Sequence, residues 1–334
     1  MNRLELRSAN LPAPENRTFF PKFEMGPVER TLLHQAQLRA GNNLVAAFEY
    51  GSVATNTGSL NSRADLMIVV EDAEAFHKRN MLLNPYDYSN FGIRGFTSRT
   101  LDRKLHTAIN DYGFNYYYAN MKTEDGKTIR VKYSVISKKN FIDACRGTLE
   151  TDRGNEWNAK TRFGIYVAGR IQKAAILPLY VKESDQQAME TAINQARIEG
   201  IWLALALTSE RFTLEELVRN YVSLSYLADL RVEKKDKIDS IIRSNLENYK
   251  NMVRELLKDF VAREIVDQVW AGIDVYQKNL SLTKEQAKKR LAKLKWNTAI
   301  HNYLINPWPA RPPRAIGYAI EKVRRARKAN KNLQ

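Results

Sequence analysis

Cysteine is nearly absent. Cys145 is the only one in 334 residues, which excludes an internal disulfide and a thiolate-rich metal site and favours a reducing compartment. It reads as a small core residue. Histidine is scarce too, and His34, His77, His106 and His301 show no zinc-type spacing. No apolar run approaches the roughly 20 residues of a membrane-spanning helix. The best, Ile201-Trp-Leu-Ala-Leu-Ala-Leu207, reads as a core helix segment. The first 30 residues lack a signal-peptide pattern. They also mix Arg3, Arg7 and Arg17 with Glu5, Glu15 and Glu24, unlike an acid-poor transit peptide. The last deficit is local. From residue 281 to 334 only Glu285 and Glu321 oppose fourteen Lys and Arg, so this end carries +12 of the chain's net +16. An anionic partner is expected there.

What is present is an ordinary globular composition, 44% hydrophobic and 27% charged, long enough for two domains. An irregular arm, 1–27, precedes a helix over Val28–Arg39 and a strand over Leu44–Tyr50. A second strand runs from Asp65 to Val70, then a helix from Ala73 to Leu83 stops before Pro85. Arg99–Ile109 reads as an amphipathic helix. Phe114–Ala119 and Thr128–Ile136 alternate as strands around the turn signal Asp125-Gly126. Helical patterning follows over 161–174, 184–207 and 213–222, and less sharply over 236–259 and 260–278. Pro307, Pro309, Pro312 and Pro313 divide the basic end into a helix before and a helix after.

Between the first two strands, Tyr50-Gly51-Ser52 and Asp65 carry the chemistry. A glycine lets backbone amides approach a triphosphate, a serine offers it a hydroxyl, and a strand-borne aspartate can hold magnesium on the same phosphates. The spacing alone also fits a hairpin-like loop with an aspartate at a strand start. Many nucleotidyltransferases carry a second acid two residues after the first; here that place is Met67. In the strand 128–136, Ile129, Val131, Tyr133 and Val135 share the core face. Arg130, Lys132 and Ser134 share the other, which looks towards solvent or a triphosphate.

The chain resembles the translocator assembly and maintenance family, the peripheral mitochondrial-type CDP-diacylglycerol synthases. Six blocks carry the likeness in order: Tyr50-Gly-Ser; Asp65-Leu-Met-Ile-Val-Val-Glu-Asp72; Phe76-His77 through Asn80 to Asn84-Pro-Tyr-Asp-Tyr-Ser89; Lys132-Tyr-Ser-Val-Ile-Ser137; Tyr166-Val-Ala-Gly169-Arg170-Ile-Gln-Lys173; and Ser223-Leu-Ser-Tyr-Leu-Ala-Asp229-Leu-Arg231. The resemblance implies that CTP and phosphatidic acid give CDP-diacylglycerol and pyrophosphate with Mg2+. It implies an α/β nucleotidyltransferase-fold domain (28–155), a mostly helical, winged-helix domain (156–280) and a basic membrane-binding tail with a C-terminal helix (281–334).

By the same likeness Asp65 and Lys132 are catalytic, and Tyr50, Gly51, Ser52, Tyr133, Ser134, Arg170 and Lys173 serve the nucleotide. Asp65 holds the metal, with Asp229 or Asp87 as candidates for a second acid. Asp87 stands where the family more often has His, and either acid could equally be a cap or a loop residue. Arg170 and Lys173 could equally form a solvated basic face. Val53, Ser134, Ala174 and Ala228 replace a glycine, a glycine, a proline and a glycine of the family pattern, marking a divergent member.

The tail offers Arg314, Ile316, Ile320, Val323, Arg324, Arg325, Arg327 and Lys328 to an anionic membrane surface, at about 1 kcal/mol per basic residue. A solvated helix, or non-specific nucleic-acid binding, is the alternative. The expectation is therefore a peripheral phosphatidate cytidylyltransferase, on a cytoplasmic face if bacterial or viral and a matrix face if eukaryotic. The rivals are an RNA-directed nucleotidyltransferase and an inactive membrane-binding relative.

Overall fold

The computed structural model describes residues 24–51, 64–88, 115–146, 177–227, 235–270, 275–280, 283–289 and 291–292. Helix α1 (Pro27–Ala40) and a single 3-10 turn feed β1 (Leu44–Tyr50), every residue of which is buried. Strand β2 (Ala64–Val70) returns antiparallel to it. Asp72 then caps α2 (Ala73–Leu83), its carboxylate accepting from the backbone N–H groups of Glu74 and Ala75. Strands β3 (Asn115–Lys122) and β4 (Thr128–Ser137) form the expected hairpin, with Gly126 at φ +79 in the turn. Helix α3 (Lys138–Arg146) and β5 (Leu177–Val181) complete the unit.

These strands make one mixed sheet in the order β3-β4-β2-β1-β5, in which only β2 and β4 pair in parallel. Helices cover both faces, as the near-continuous apolar runs of the central strands require. On one face Phe48, Tyr50, Met67, Val69 and Ile136 pack against α3 and the first half of α4 (Gln186–Leu207). On the other, Leu66, Ile68, Tyr117, Val131 and Tyr133 pack beneath α1 and α2. This sheet with its flanking helices is compatible with the nucleotidyltransferase-like fold expected.

The second half of α4 enters a separate core. There it meets α5 (Leu214–Leu227), α6 (Lys235–Val261), β6 (Arg211–Thr213), β7 (Val266–Trp270) and β8 (Val275–Lys278). The three strands form an antiparallel sheet ordered β6-β8-β7. The helical reading of 260–278 is thus corrected. Val266-Asp-Gln-Val-Trp270 and Val275-Tyr-Gln-Lys278 follow period two, and Val266 and Tyr276 point into the core. The expected helices 99–109 and 161–174 lie outside the described residues. So do residues 155–156, the expected domain boundary, but β5 and the first half of α4 pack with the first sheet, so that unit runs past 155.

Candidate active site

Strand register builds the site. Asp65 lies opposite Tyr50 on β1 and opposite Lys132 on β4. Lys132 Nζ meets Asp65 Oδ1 at 2.8 Å, with the two side chains 13% and 20% exposed. So the basic face of β4 does not open broadly to solvent: Lys132 looks into a half-buried notch, and Ser134 is buried. Thr128 and Arg130, nearer the hairpin turn, are the exposed residues of that face.

Gly51 closes the notch. Its φ of +91 belongs to glycine, and a Cβ there would stand 2.5 Å from Asp65 Oδ2. The backbone therefore approaches the carboxylate more closely than any other residue would allow. Room at this point is what a phosphate-binding turn needs, and a carboxylate beside an ammonium is what a metal triphosphate needs.

Magnesium fits this donor set in one manner. No cluster of three or more metal-ligating side chains occurs among the described residues, and Met67, on the same face as Asp65, is wholly buried. A single carboxylate completed by substrate phosphates and water is an ordinary magnesium arrangement.

Asp87, the other described candidate, serves elsewhere. Neighbouring residues of β4 point to opposite faces, so Tyr133 faces away from Lys132 and Asp65. Tyr133 Oη donates to Asp87 Oδ2 at 2.9 Å, and Arg39 Nη1 donates to the same oxygen at 2.6 Å. Arg39 also lies over the Tyr133 ring, 4.7 Å from its centroid. Asn80 joins in: Nδ2 donates to Tyr88 Oη and Tyr133 Oη at 2.9 and 3.0 Å, while Oδ1 accepts from Arg39. His77 Nδ1 lies 3.0 Å from Tyr88 Oη. Burial drives the Tyr88 and Tyr133 phenols well above their ordinary pKa, so both act as neutral hydroxyls. His77, Asn80 and Asp87 thus belong to a buried network beneath α1 and α2. The geometry removes Asp87 and Tyr133 from the Asp65 notch.

Tyr50 and Ser134 are buried on the notch side. Tyr50 belongs to the core there, and Ser134 Oγ donates to the Leu66 carbonyl at 3.2 Å. They support the site from below. Ser52, Arg170, Lys173, Asp229 and the tail residues Arg314, Ile316, Ile320, Val323, Arg324, Arg325, Arg327 and Lys328 lie outside the described residues.

Two buried charges, one on α1 and one on β1, have no role in the sequence reading. Arg39 shares the buried stripe of α1 with Leu32, Ala36 and Ala40, and Glu49 lies within the otherwise apolar strand β1. A charge inside an apolar pattern was the signal in each case. Glu49 is wholly buried, and neither of its oxygens has a hydrogen-bond partner among the described residues. Burial first, then Glu29 and Asp65, pushes its pKa up to about 8.

A family model described as phosphatidate cytidylyltransferase, mitochondrial, matches residues 35–301. Relatives bearing that name include one from Mus musculus, 29% identical over 224 residues, 65% of this chain and 59% of the relative. One from Caenorhabditis elegans is 29% identical over 219 residues, 64% of this chain and 60% of its own. One from Schizosaccharomyces pombe is 29% identical over 204 residues, 59% and 44% respectively. The chain spans about three fifths of the length of the first two relatives and less than half of the third.

Proposed function

Because the chain belongs to the family of mitochondrial phosphatidate cytidylyltransferases, we propose that it joins CTP to phosphatidic acid, forming CDP-diacylglycerol and releasing pyrophosphate at a membrane surface. The observation that carries this reading is the Asp65–Lys132 pair facing the Gly51 turn. An anionic phosphate oxygen of phosphatidate attacks the α-phosphorus of CTP. The new P–O bond forms as the bond to the bridging oxygen of the leaving pyrophosphate breaks. The attacking oxygen is already ionised, so no general base is needed, and the work is positioning and charge neutralisation.

Each residue then has a task. Gly51 gives the triphosphate room against the backbone, and Lys132 neutralises charge that develops on pyrophosphate. Asp65 would hold magnesium together with phosphate oxygens and water. That ion, when bound, draws charge from the phosphates and aligns them. Asp229 could supply a second carboxylate, and Ser52, Arg170 and Lys173 are proposed to meet phosphates. The order α4-β6-α5-α6-β7-β8 and the β6-β8-β7 sheet support a winged-helix reading of the second domain. No described helix is long and apolar enough to cross a membrane. The basic end at 281–334, with +12 net charge, is proposed to hold the enzyme peripherally to anionic lipid.

The test is pyrophosphate release from CTP and magnesium with phosphatidate vesicles. Asp65→Ala should lower kcat/KM on the order of 100-fold or more while the protein stays folded. Gly51→Ala should also cost on the order of 100-fold, because its methyl group displaces the Asp65 carboxylate. Lipid-independent incorporation of nucleotide into RNA would overturn the reading in favour of an RNA-directed transferase. Vesicle binding without turnover would favour an inactive relative.

A further inference from the structure

Exposed apolar side chains are not scattered evenly over the described residues. Five large hydrophobic residues are exposed among the described ones, and three fall in one short segment: Leu82 at 68%, Leu83 at 47% and Tyr86 at 71%. They occupy the C-terminal end of α2 and the 3-10 turn Pro85–Asp87 that follows. A fourth, Leu38, lies on the adjoining helix α1, where its carbonyl accepts from Arg79 Nε at 3.1 Å. Isolated exposed leucines need no explanation, but a cluster does.

Within the described segment the exposed charge has one sign. From residue 78 to 86 the exposed side chains are Lys78, Arg79, Leu82, Leu83, Pro85 and Tyr86. The segment's only acid, Asp87 at its edge, is 10% exposed and paired with Arg39. Glu71 and Glu74 lie at the other end of α2. Apolar side chains flanked by cations, with no exposed anion between them, match the interfacial zone of an anionic bilayer.

Its position matches as well. Strand β2 rises from Asp65 to Val70, and α2 runs back from Asp72, so its C-terminal end returns to the Asp65 end of the sheet. Contacts fix that placement. Asn80 and Asp87 both reach Tyr133 Oη, and Tyr133 stands opposite Leu66, the residue after Asp65. The cluster and the catalytic notch therefore share one edge of the sheet, on its two faces.

We infer that Lys78, Arg79, Leu82, Leu83 and Tyr86 form a docking surface for an anionic lipid bilayer, setting the Asp65 edge against the leaflet that holds phosphatidate. The inference rests on the proposed lipid substrate. It assigns the basic tail the long-range attraction and assigns this patch shallow insertion and orientation.

The full chain tests it with two probes. In the first, Leu82→Ser, Leu83→Ser and Tyr86→Ser are combined, and flotation is measured with phosphatidylcholine vesicles with and without phosphatidate. Binding to the phosphatidate vesicles should fall on the order of tenfold, and turnover on those vesicles should fall with it. Turnover on a short-chain phosphatidate dissolved as monomers should match the unsubstituted protein. In the second, an environment-sensitive dye is placed at Leu83→Cys in a Cys145→Ala background; Cys145 is buried, so the change leaves the surface intact. The dye should shift to the blue and be quenched by brominated lipid.

Unchanged vesicle binding of the triple variant with an unshifted dye would overturn the docking surface even if the enzyme turns over. Unchanged binding with an altered oligomeric state would overturn it too, making the patch an interface between chains. Dye insertion without pyrophosphate release on either lipid would leave the surface standing and sink the proposed reaction alone.

Discussion

Glu49 is a carboxyl group with no place to put a charge. It stands in β1 two residues before Gly51, wholly buried, with its pKa raised to about 8 by burial first and by Glu29 and Asp65 after it. The folded protein therefore keeps this proton at pH values where the unfolded chain, with an ordinary glutamate near 4.5, has released it. The Glu49 contribution to stability is therefore greatest below about 4.5 and falls as pH rises towards about 8, by up to about 1.4 kcal/mol per pH unit. Glu49→Gln keeps the shape and removes the titration. Its thermal midpoint should match the parent protein near pH 5 and exceed it by several degrees near pH 8. Parallel melting curves for the two proteins across that interval would refute the argument. Lys132 and Asp65, by contrast, neutralise each other in the notch, which is why a half-buried pair is tolerable there.

At the scale of elements, the ends of α1 and α2 are locked by the Arg39–Asp87 pair. Arg39 is 3% exposed and Asp87 10%, and both also bind neutral partners, Asn80 and Tyr133. Removing one partner leaves the other charge buried. Arg39→Met or Asp87→Asn alone should cost about 3–5 kcal/mol in urea unfolding, while Arg39→Met with Asp87→Leu should cost much less than the sum. Additive losses would show that the pair is not coupled. The elements it joins were legible in the sequence, because α1, β1, β2 and α2 have unbroken periodicity with Gly41, the Asp72 cap and Pro85 between them. The β3–β4 hairpin was legible from Asp125-Gly126. Strands β7 and β8 were not, since each has only a few residues and follows a long amphipathic helix whose pattern runs into them. The Asp65–Lys132 pair was partly legible. Asp65 and Gly51 stood out by residue type and spacing. Lys132 became specific only through the family likeness, because its partnership with Asp65 depends on a parallel register that no local pattern encodes. Asp87 was misleading for a related reason: its partner, Arg39, lies 48 residues earlier in the chain.

For the molecule as a whole, α4 decides how the two cores respond to each other. Its 22 residues extend about 33 Å. Met189, Ala192, Ile193 and Ala196 lie at helical spacing in the core under the five-stranded sheet. Ile198, Ile201, Leu203, Ala204 and Leu205 lie in the core shared with α5 and α6. Neither core can lose its part of α4 without loosening the turn that enters the other. The two should therefore unfold together, and the Asp65 notch should feel damage in the second core. Gly200, buried at the junction, is the place to break this link. Proline there removes one helical hydrogen bond and clashes with the preceding turn, at a cost of about 3 kcal/mol. The parent protein should melt in one calorimetric transition, and Gly200→Pro in two, with the α5–α6 core melting first. Two transitions already present in the parent protein would mean that α4 merely connects the cores. A single transition in both proteins, shifted only in midpoint, would mean that contacts outside α4 hold them together.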